Sequence, residues 1–383
     1  MSARLLRALT IIIISALSVS LTGCGSSGVS SNYRALEQLE TVGTLGIDRQ
    51  LGGVLLTAAV DRGDGENGPA VLRRSSTDLR RGLETLQDYA EDRQLFFAHV
   101  QQLVLGEDYV LDGIGPVLDF AERDLNTRMG TALFVLRSEQ ASALLTDCGD
   151  ASALLSTITR DTELDGSSHV SDLRTVAVAL SEYGAAAVCA LQAEATAGSV
   201  YPESSPRTAV PDGYAILKNG VLAGYLDGED AEALGFLAGH PGTVTRLVHD
   251  GSGAAVTLEL RCSGTPEFRF EKTETGYAAS VGLELDAVIA AVDSLRPDAP
   301  MPDTAALAAA VSAGVRESVL QVLARSAALD ADFLGLGAVV RRQLGPAAQR
   351  DFLQKTEFRV QVETVPDHSY DLAAPLGTAG GAA

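Results

Sequence analysis

The first half of the chain carries two hydrophobic periods, one of two residues and one of three to four. Short apolar runs predict strands at residues 42–47 and 53–60, before the acidic turn 61–68. Leucines three or four apart over residues 75–93 predict an amphipathic helix with Ser75 or Ser76 as its N-cap. Shorter segments predict strands at 100–105, 133–136 and 185–191, and helices at 116–123, from residue 140, and at 173–183. The pattern contains no internal repeat.

The clearest local signal of the second half lies at residues 214–226, where Asn219-Gly220 separates two apolar runs. Both turn positions need a positive φ, so this pair predicts a tight β-hairpin. A helix at 229–237 and strands at 244–248, 255–261 and 267–271 follow. Residues 303–329 place leucine or valine at every fourth position from Leu307, which predicts a long amphipathic helix capped by Asp303. A break at 330–337, a short helix and an alternating strand around Val360 complete the pattern.

Proline and small residues mark the expected domain boundaries. Pro202, Pro206 and Pro211 lie close together and predict a linker near residue 205. We expect an N-terminal α+β region at 33–200, with room for two subdomains, and a C-terminal α+β domain at 207–371 that contains the long helix. Residues 372–383 are low in complexity and are predicted to form a disordered tail. The expected fold class is α+β, with several domains whose mixed sheets are flanked by helices.

The charge of the chain limits its partners. Its 383 residues have a formal net charge of −21, from 50 acidic and 29 basic side chains. Because affinity for nucleic acid depends on clustered cations, nucleic-acid binding is disfavoured. An acidic body is also repelled by anionic lipid, so a membrane location requires an anchor.

The N-terminus supplies such an anchor. In residues 1–23, Arg4 and Arg7 precede an apolar run, which is the pattern of a secretory signal peptide. The run ends in Leu21-Thr22-Gly23-Cys24, which resembles a bacterial lipobox, and residues 24–32 predict a flexible Gly/Ser tether. The alternative is an ordinary signal or a short uncleaved span in which Cys24 is incidental. We expect Cys24 to carry a diacylglyceryl anchor, since two acyl chains hold a protein stably at a membrane.

The sequence lacks the common catalytic and metal-binding patterns. No two of its five histidines have the spacing of a zinc helix, its cysteines form no CxxC pair, and no lysine follows the glycine of a phosphate-binding loop. Gly335 and Gly337 could begin a dinucleotide-binding fingerprint, but Val340 stands at the third glycine position. Paired carboxylates for glycoside hydrolysis stay open, because any two acids could meet in the fold. We therefore expect a non-enzyme without cofactor or metal.

Three cysteines remain once Cys24 is acylated, namely Cys148, Cys189 and Cys262. An odd number permits at most one disulfide within the chain. Buried free thiols are the favoured state, and a single disulfide is the alternative.

Three segments carry a resemblance to a known family. The first is Ala331-Asp332-Phe333-Leu334-Gly335-Leu336-Gly337, which follows the long helix. The second comprises Phe97-Ala98-His99, Leu103-Val104-Leu105-Gly106-Glu107, Leu118-Asp119-Phe120 and Arg123-Asp124. The third is the Asn219-Gly220 hairpin with Gly224-Tyr225-Leu226. With the lipobox, and in this order, they resemble the Ger(x)C family of spore germination lipoproteins, the C subunits of nutrient germinant receptors. The chain departs from that pattern at Leu125, where the family has proline.

The matched residues are expected to have structural roles. Gly335 and Gly337 would allow a positive φ or a close approach between the two helices. Asp332 would cap the short helix or hold the turn. His99, beside an apolar strand, would be a partly buried, hydrogen-bonded side chain rather than a ligand.

The resemblance implies a lipid-anchored, non-catalytic C subunit on the outer face of the spore inner (cytoplasmic) membrane. Such a subunit associates with the integral-membrane A and B subunits and is needed for receptor assembly and signalling in germination. The alternative is a solute-binding lipoprotein of a transporter, which shares the lipobox, tether and acidic body. Those proteins usually alternate strands and helices around a cleft, whereas this chain has hairpins and a late long helix.

Overall fold

A computed structural model describes nine stretches of the chain, which contain its helices and strands. They are residues 39–61, 70–88, 94–124, 127–162, 165–195, 207–240, 242–249, 255–293 and 303–366. The predicted signal peptide, Cys24, the tether, the linker near residue 205 and the tail 372–383 lie outside these described residues.

Nine strands form the first sheet, in which parallel strands occupy the centre. Its strands are β1 Leu39–Gln50, β2 Gly53–Asp61, β3 Ala70–Ser76, β4 Gln94–Phe96, β5 Gln102–Gly106, β6 Ala132–Leu136, β7 Ala185–Ala195, β8 Arg207–Lys218 and β9 Val221–Leu226. The strand order is β3-β2-β1-β5-β6-β7-β8-β9, with β4 beside the start of β1. Strands β1, β5, β6 and β7 run parallel, and antiparallel hairpins complete both edges.

Helices cover both faces of this sheet, as its parallel centre requires. One core packs the first face against α1 Leu79–Gln87, α2 Glu107–Asp112, α3 Gly115–Arg123 and α6 Leu173–Tyr183. A second core packs the opposite face against α4 Ala141–Asp147 and α5 Ala151–Asp161. The largest buried side chains of the sheet, such as Phe134 and Ile47, are fully enclosed between these layers.

The second sheet is built around one long strand. The elements of this part are α7 Gly228–Ala238, β10 Val244–His249, β11 Ala255–Cys262, β12 Arg269–Lys272, β13 Tyr277–Asp293, α8 Thr304–Leu329, α9 Leu336–Leu344, α10 Phe352–Lys355 and β14 Thr356–Pro366. The long strand β13 pairs antiparallel with β11 and β12 and parallel with β14. Strand β10 pairs with β11 and extends the sheet on that side. The core of this sheet also takes in Tyr214 and Leu226 of the first sheet, so the two sheets share apolar packing.

The long helix α8 begins and ends where the sequence predicted. The Asp303 carboxylate accepts hydrogen bonds from the N–H groups of Ala305 and Ala306, and the predicted apolar face from Leu307 to Leu323 is buried. Among the described residues, α8 is the one helix whose length and apolarity would suffice to cross a membrane. Its buried face packs instead against β14 and α7.

The predicted α+β class with mixed sheets is confirmed, but the helix predicted at 75–93 is wrong in its first part. Residues Ala70–Ser76 form β3, because they pair with β2 in register from Val54↔Ser76 to Val60↔Ala70. The helix starts at Leu79, and Asp78, not Ser75 or Ser76, caps it by accepting the N–H of Arg81 at 2.9 Å. A tertiary strand pairing therefore overrides the local helical period.

The hairpin at Asn219-Gly220 forms as predicted, with φ values of 52° and 81°. However, its strands β8 and β9 continue the first sheet through the β7–β8 pairing. The chain passes to the second sheet only after β9, so the predicted boundary near residue 205 falls between two neighbouring strands of one sheet. The division into domains at 33–200 and 207–371 stays a prediction.

Candidate functional sites at the sheet edges

A buried carboxylate organises the turn between α8 and α9. Asp332 is 7% exposed, and its oxygens accept the N–H of Leu336 at 2.8 Å and of Gly337 at 2.7 Å, the first two residues of α9. Burial raises the pKa of Asp332, although the hydrogen bonds from the backbone act in the opposite direction. Asp332 therefore holds the N-terminus of α9 at a fixed position below the end of α8.

The two glycines of this turn are needed for different reasons. Gly335 has a φ of 68°, in the left-handed region, and a Cβ there would lie 3.0 Å from Cε2 of Tyr183 at the end of α6. Gly337 has no positive φ, but its Cβ would lie 2.9 Å from Oδ2 of Asp332. One glycine thus supplies the backbone conformation and the contact with α6, and the other makes room for the capping carboxylate.

The same turn joins the two sheets. Lys218, at the end of β8, donates to the carbonyl of Leu329 at 3.2 Å and to the Asp330 carboxylate at 3.0 Å. Gln354 donates to the other Asp330 oxygen at 2.7 Å. Asp330 itself ends α8 with a φ of 50°. These contacts tie the last turn of the long helix to the hairpin strand β8.

A second buried carboxylate lies at the carboxyl edge of the first sheet. Asp48, 1% exposed near the end of β1, accepts the N–H of Ala141 at 2.6 Å and of Ser142 at 2.8 Å, the first two residues of α4. Burial raises the pKa of Asp48 as well. A Cβ on Gly106 would lie 2.3 Å from Oδ1 of Asp48, so the glycine of the Gly106-Glu107 segment makes room for this carboxylate.

Next to Asp48, the Gly106-Glu107 segment meets the Gly224-Tyr225-Leu226 segment, and both carry the family resemblance. Glu107 Oε2 accepts the hydroxyl of Tyr225 at 2.8 Å and the N–H of Ser138 at 2.7 Å. The guanidinium of Arg137 lies 4.5 Å from the centre of the Tyr225 ring and donates to Asp212 at 2.7 Å. Burial and the Glu107 carboxylate raise the pKa of Tyr225, and the hydrogen bond to Asp212 raises that of Arg137. The cluster therefore keeps a neutral phenol and a cationic guanidinium as a fixed brace between β6, α2 and β9.

His99 does not have the environment expected from the sequence. It ends the 3₁₀ turn Phe97–His99 and is exposed, and its ring packs against Phe96 with the ring centres 5.1 Å apart. The expectation of a partly buried side chain is wrong, because the 3₁₀ turn leaves residue 99 exposed.

The three cysteines within the described residues are free thiols. Burial raises the pKa of Cys189 to about 12 and that of Cys148 to about 11, and it raises the pKa of Cys262. These thiols are therefore protonated at neutral pH, which makes them poor nucleophiles. In the part of the chain that the structure describes, no group of three or more His, Cys, Asp or Glu side chains could hold a metal ion.

Comparisons with known proteins cover both halves of this fold. The family model described as "Spore germination protein N-terminal domain" matches residues 32–192, and "Spore germination B3/ GerAC like, C-terminal" matches residues 212–365. The solved crystal structure of the GerBC protein is 15% identical, with a TM-score of 0.55 over 84% of this chain and 96% of that chain. No curated protein matches the chain.

The chain therefore belongs to the spore germination proteins whose two domains these family models describe. Within them it is a Ger(x)C protein, the C subunit of a spore germinant receptor. Membership implies association with the spore membrane and with a multi-subunit receptor. The fold of the GerBC protein agrees with this membership.

The segments with the family resemblance contain Glu107 and Tyr225, whereas Asp48 and Arg137 lie outside them. A usable signal existed, because Glu107 and Arg137 each directly follow a buried strand. The carboxyl ends of parallel strands meet at one edge of a sheet, where side chains from separate segments converge. Asp48 directly follows the run 42–47 that the sequence predicts as a strand, and it carries the same signal.

Proposed function

We propose that this chain is a lipid-anchored, non-catalytic subunit needed for assembly and signalling of a nutrient germinant receptor. The observation that carries the proposal is the family match to both halves of one chain. Cys24 would anchor the protein to the outer face of the spore inner membrane, and the integral-membrane A and B subunits would be its partners. Neither family match is to a solute-binding protein of a transporter, which was the alternative.

The rigid braces described above support a role in assembly. Lys218 and Asp330 join β8 of the first sheet to the end of α8, while Glu107, Arg137 and Tyr225 tie together α2, the end of β6 and β9. A subunit built in this way presents surfaces of fixed relative orientation to its partners. Protonated thiols and a brace of paired charges favour such a structural role over chemistry.

The test is deletion of the gene in a spore-former that lacks redundant receptors, followed by nutrient-triggered germination. We expect germination to be lost and to be restored by the wild-type gene. Wild-type germination of the deletion strain with every nutrient tested would refute the function.

The anchor is tested in the same strain by complementation with Cys24→Ala, with Cys148→Ala as the matched cysteine control. We expect only Cys24→Ala to lose incorporation of labelled fatty acid, to leave the membrane fraction and to fail to restore germination. If Cys24→Ala remains acylated and membrane-bound, Cys24 is not the anchor.

A further inference from the structure

A cavity of about 950 Å³ opens between α1 and α3 beside β4. This is the volume of a small-molecule site. Its wall is largely apolar and aromatic, and it includes Leu79, Leu83, Leu95, Phe96, Phe97 and Phe120. Neither the family assignment nor the proposed function gives this cavity a role.

A smaller apolar space of about 60 Å³ adjoins this cavity. Leu79, Leu83, Phe97 and Phe120 line both spaces. The recess reaches between the helices to Ile47 and Leu103 of the sheet. A ligand in the cavity could therefore place an apolar group deep against the first core.

The charged side chains at the rim are already partnered. Three ion pairs have N···O distances of 2.9, 3.3 and 2.8 Å, namely Arg49–Asp112, Arg80–Glu84 and Arg123–Asp119. Asp78 caps α1 by accepting the N–H of Arg81, and Asp124 accepts the hydroxyl of Thr127 at 2.9 Å. Since each rim arginine faces a carboxylate, the rim offers no unbalanced cation to an anionic ligand.

One buried polar atom of the wall lacks a partner. Tyr109, on α2, lines the cavity and is 6% exposed. Its hydroxyl oxygen is buried and has no hydrogen-bond partner among the described residues. Because this oxygen is closed off from the cavity, a bound molecule reaches it only if the Tyr109 ring turns toward the cavity. A buried hydroxyl without a partner is costly, so a hydrogen bond formed in this way adds affinity.

We propose that this cavity binds a neutral, mainly apolar small molecule that carries one hydrogen-bonding group. Its apolar part lies against Leu83 and Phe97, and its polar group bonds to the hydroxyl of Tyr109 once that ring has turned toward the cavity. The proposed ligand site does not depend on the proposed receptor function, because the cavity alone supports the site.

The test uses the mature chain from residue 24 with Cys24→Ser, which retains every described residue and needs no detergent. The probe is N-phenyl-1-naphthylamine, a neutral aromatic fluorophore with one N–H group. The comparison probe is 8-anilino-1-naphthalenesulfonate, which has the same ring skeleton with a negative charge. We expect saturable binding of the neutral probe, with one molecule per chain and at least tenfold higher affinity than the anionic probe.

Two substitutions place the probe in this cavity. Leu83→Trp should abolish binding by filling the mouth of the recess. Tyr109→Phe, which keeps the ring, should weaken binding about fivefold by removing one hydrogen bond. The matched control is Tyr225→Phe, at a tyrosine outside the cavity wall, and it should leave probe affinity unchanged.

The melting temperature without probe gives an independent reading. Tyr109→Phe should leave it unchanged or raise it, because the lost hydroxyl had no partner, whereas Tyr225→Phe should lower it by breaking the bond to Glu107. The proposal is overturned if the neutral probe does not saturate, if Leu83→Trp binds it as well as wild type, or if Tyr109→Phe has full affinity. Equal or tighter binding of the anionic probe overturns the neutral class of ligand.

Discussion

Asp48 in the first sheet and Asp332 beside the second hold helix N-termini in the same way. Each is a buried carboxylate that accepts the first two N–H groups of a short helix, α4 or α9, at 2.6–2.8 Å. Each also lies close to a glycine whose Cβ would collide with it, Gly106 or Gly337. In both places a charge and a missing side chain together fix the start of a helix.

The two caps differ in the length of chain that they close. Asp332 caps residues 336 and 337, four and five positions away, whereas Asp48 caps residues 141 and 142, which lie 93 and 94 positions away. The first is a local turn that a short motif can encode. The second forms only when β1 and α4 have come together. The same capping contact can therefore be predicted from the sequence when the carboxylate and the helix are neighbours in the chain, but not when they are 93 residues apart.

The largest expected effect comes from removing either carboxylate. Asp48→Ala and Asp332→Ala each leave two buried N–H groups without an acceptor, so each should lower the free energy of unfolding by about 3 kcal/mol. Urea unfolding followed by circular dichroism measures both. If one variant loses less than about 1 kcal/mol while the other loses the full amount, the two caps are not equivalent.

Substitution of the glycine beside each capping carboxylate should lower the stability of the protein by different amounts at the two caps. Gly106→Ala brings Cβ to 2.3 Å from the Asp48 carboxylate, against 2.9 Å from Asp332 for Gly337→Ala. We expect a loss of about 2 kcal/mol for Gly106→Ala. For Gly337→Ala we expect less than about 1 kcal/mol, because alanine also favours the helix. The larger Gly337→Val should destabilise clearly, and an unchanged melting temperature in that variant would contradict the close packing against Asp332.

The backbone conformation of the residue before each capped helix should give a smaller difference in stability between the two sites. The residue before α9 is Gly335 with a φ of 68°, whereas the residue before α4 is Gln140 with a φ of −89°. Gly335→Ala should therefore cost about 1 kcal/mol or more, and Gln140→Ala less than about 0.5 kcal/mol. Thermal unfolding of the two variants measures the difference, and equal losses would show that the left-handed position of Gly335 is not the cause.

The smallest effect is on pH dependence. The pKa values of Asp48 and Asp332 are raised in the folded protein by burial, so the folded state binds these protons more tightly than the unfolded state. Their contribution to stability is present below the ordinary carboxyl pKa and is lost as the pH rises through the raised value. Asp48→Asn and Asp332→Asn should each flatten this decline. Urea unfolding between about pH 4 and pH 7 tests it, and unaltered slopes would contradict the raised pKa values.

Prediction from the sequence succeeded where the determining contacts are local. The capped helix from Asp303, the hairpin at Asn219-Gly220 and helix α6 all form as expected, because caps, turns and helical periods involve residues a few positions apart. It failed at Ser75 and Ser76, which were expected to begin a helix but pair with β2 as the end of β3. It also missed the 17-residue strand β13, whose many small residues give a weak pattern and whose partner strands come from three separate segments.

The candidate sites divide along the same line. The motif from Asp332 to Gly337 could be found in the sequence because its carboxylate, its glycines and the helix it caps are adjacent in the chain. The brace of Glu107, Arg137 and Tyr225, the exposed position of His99 and the unpartnered hydroxyl of Tyr109 could not, since each depends on which elements lie side by side.

Local patterns in the sequence were enough to predict the family, the α+β class and most helices and hairpins. The packing of distant segments, in contrast, places β8 and β9 in the first sheet, brings Asp48 to the N-terminus of a helix 93 residues away and forms an apolar cavity beside Tyr109. Propensities, caps and turns act over a few residues, whereas burial, strand pairing and cavities depend on the whole chain packing at once.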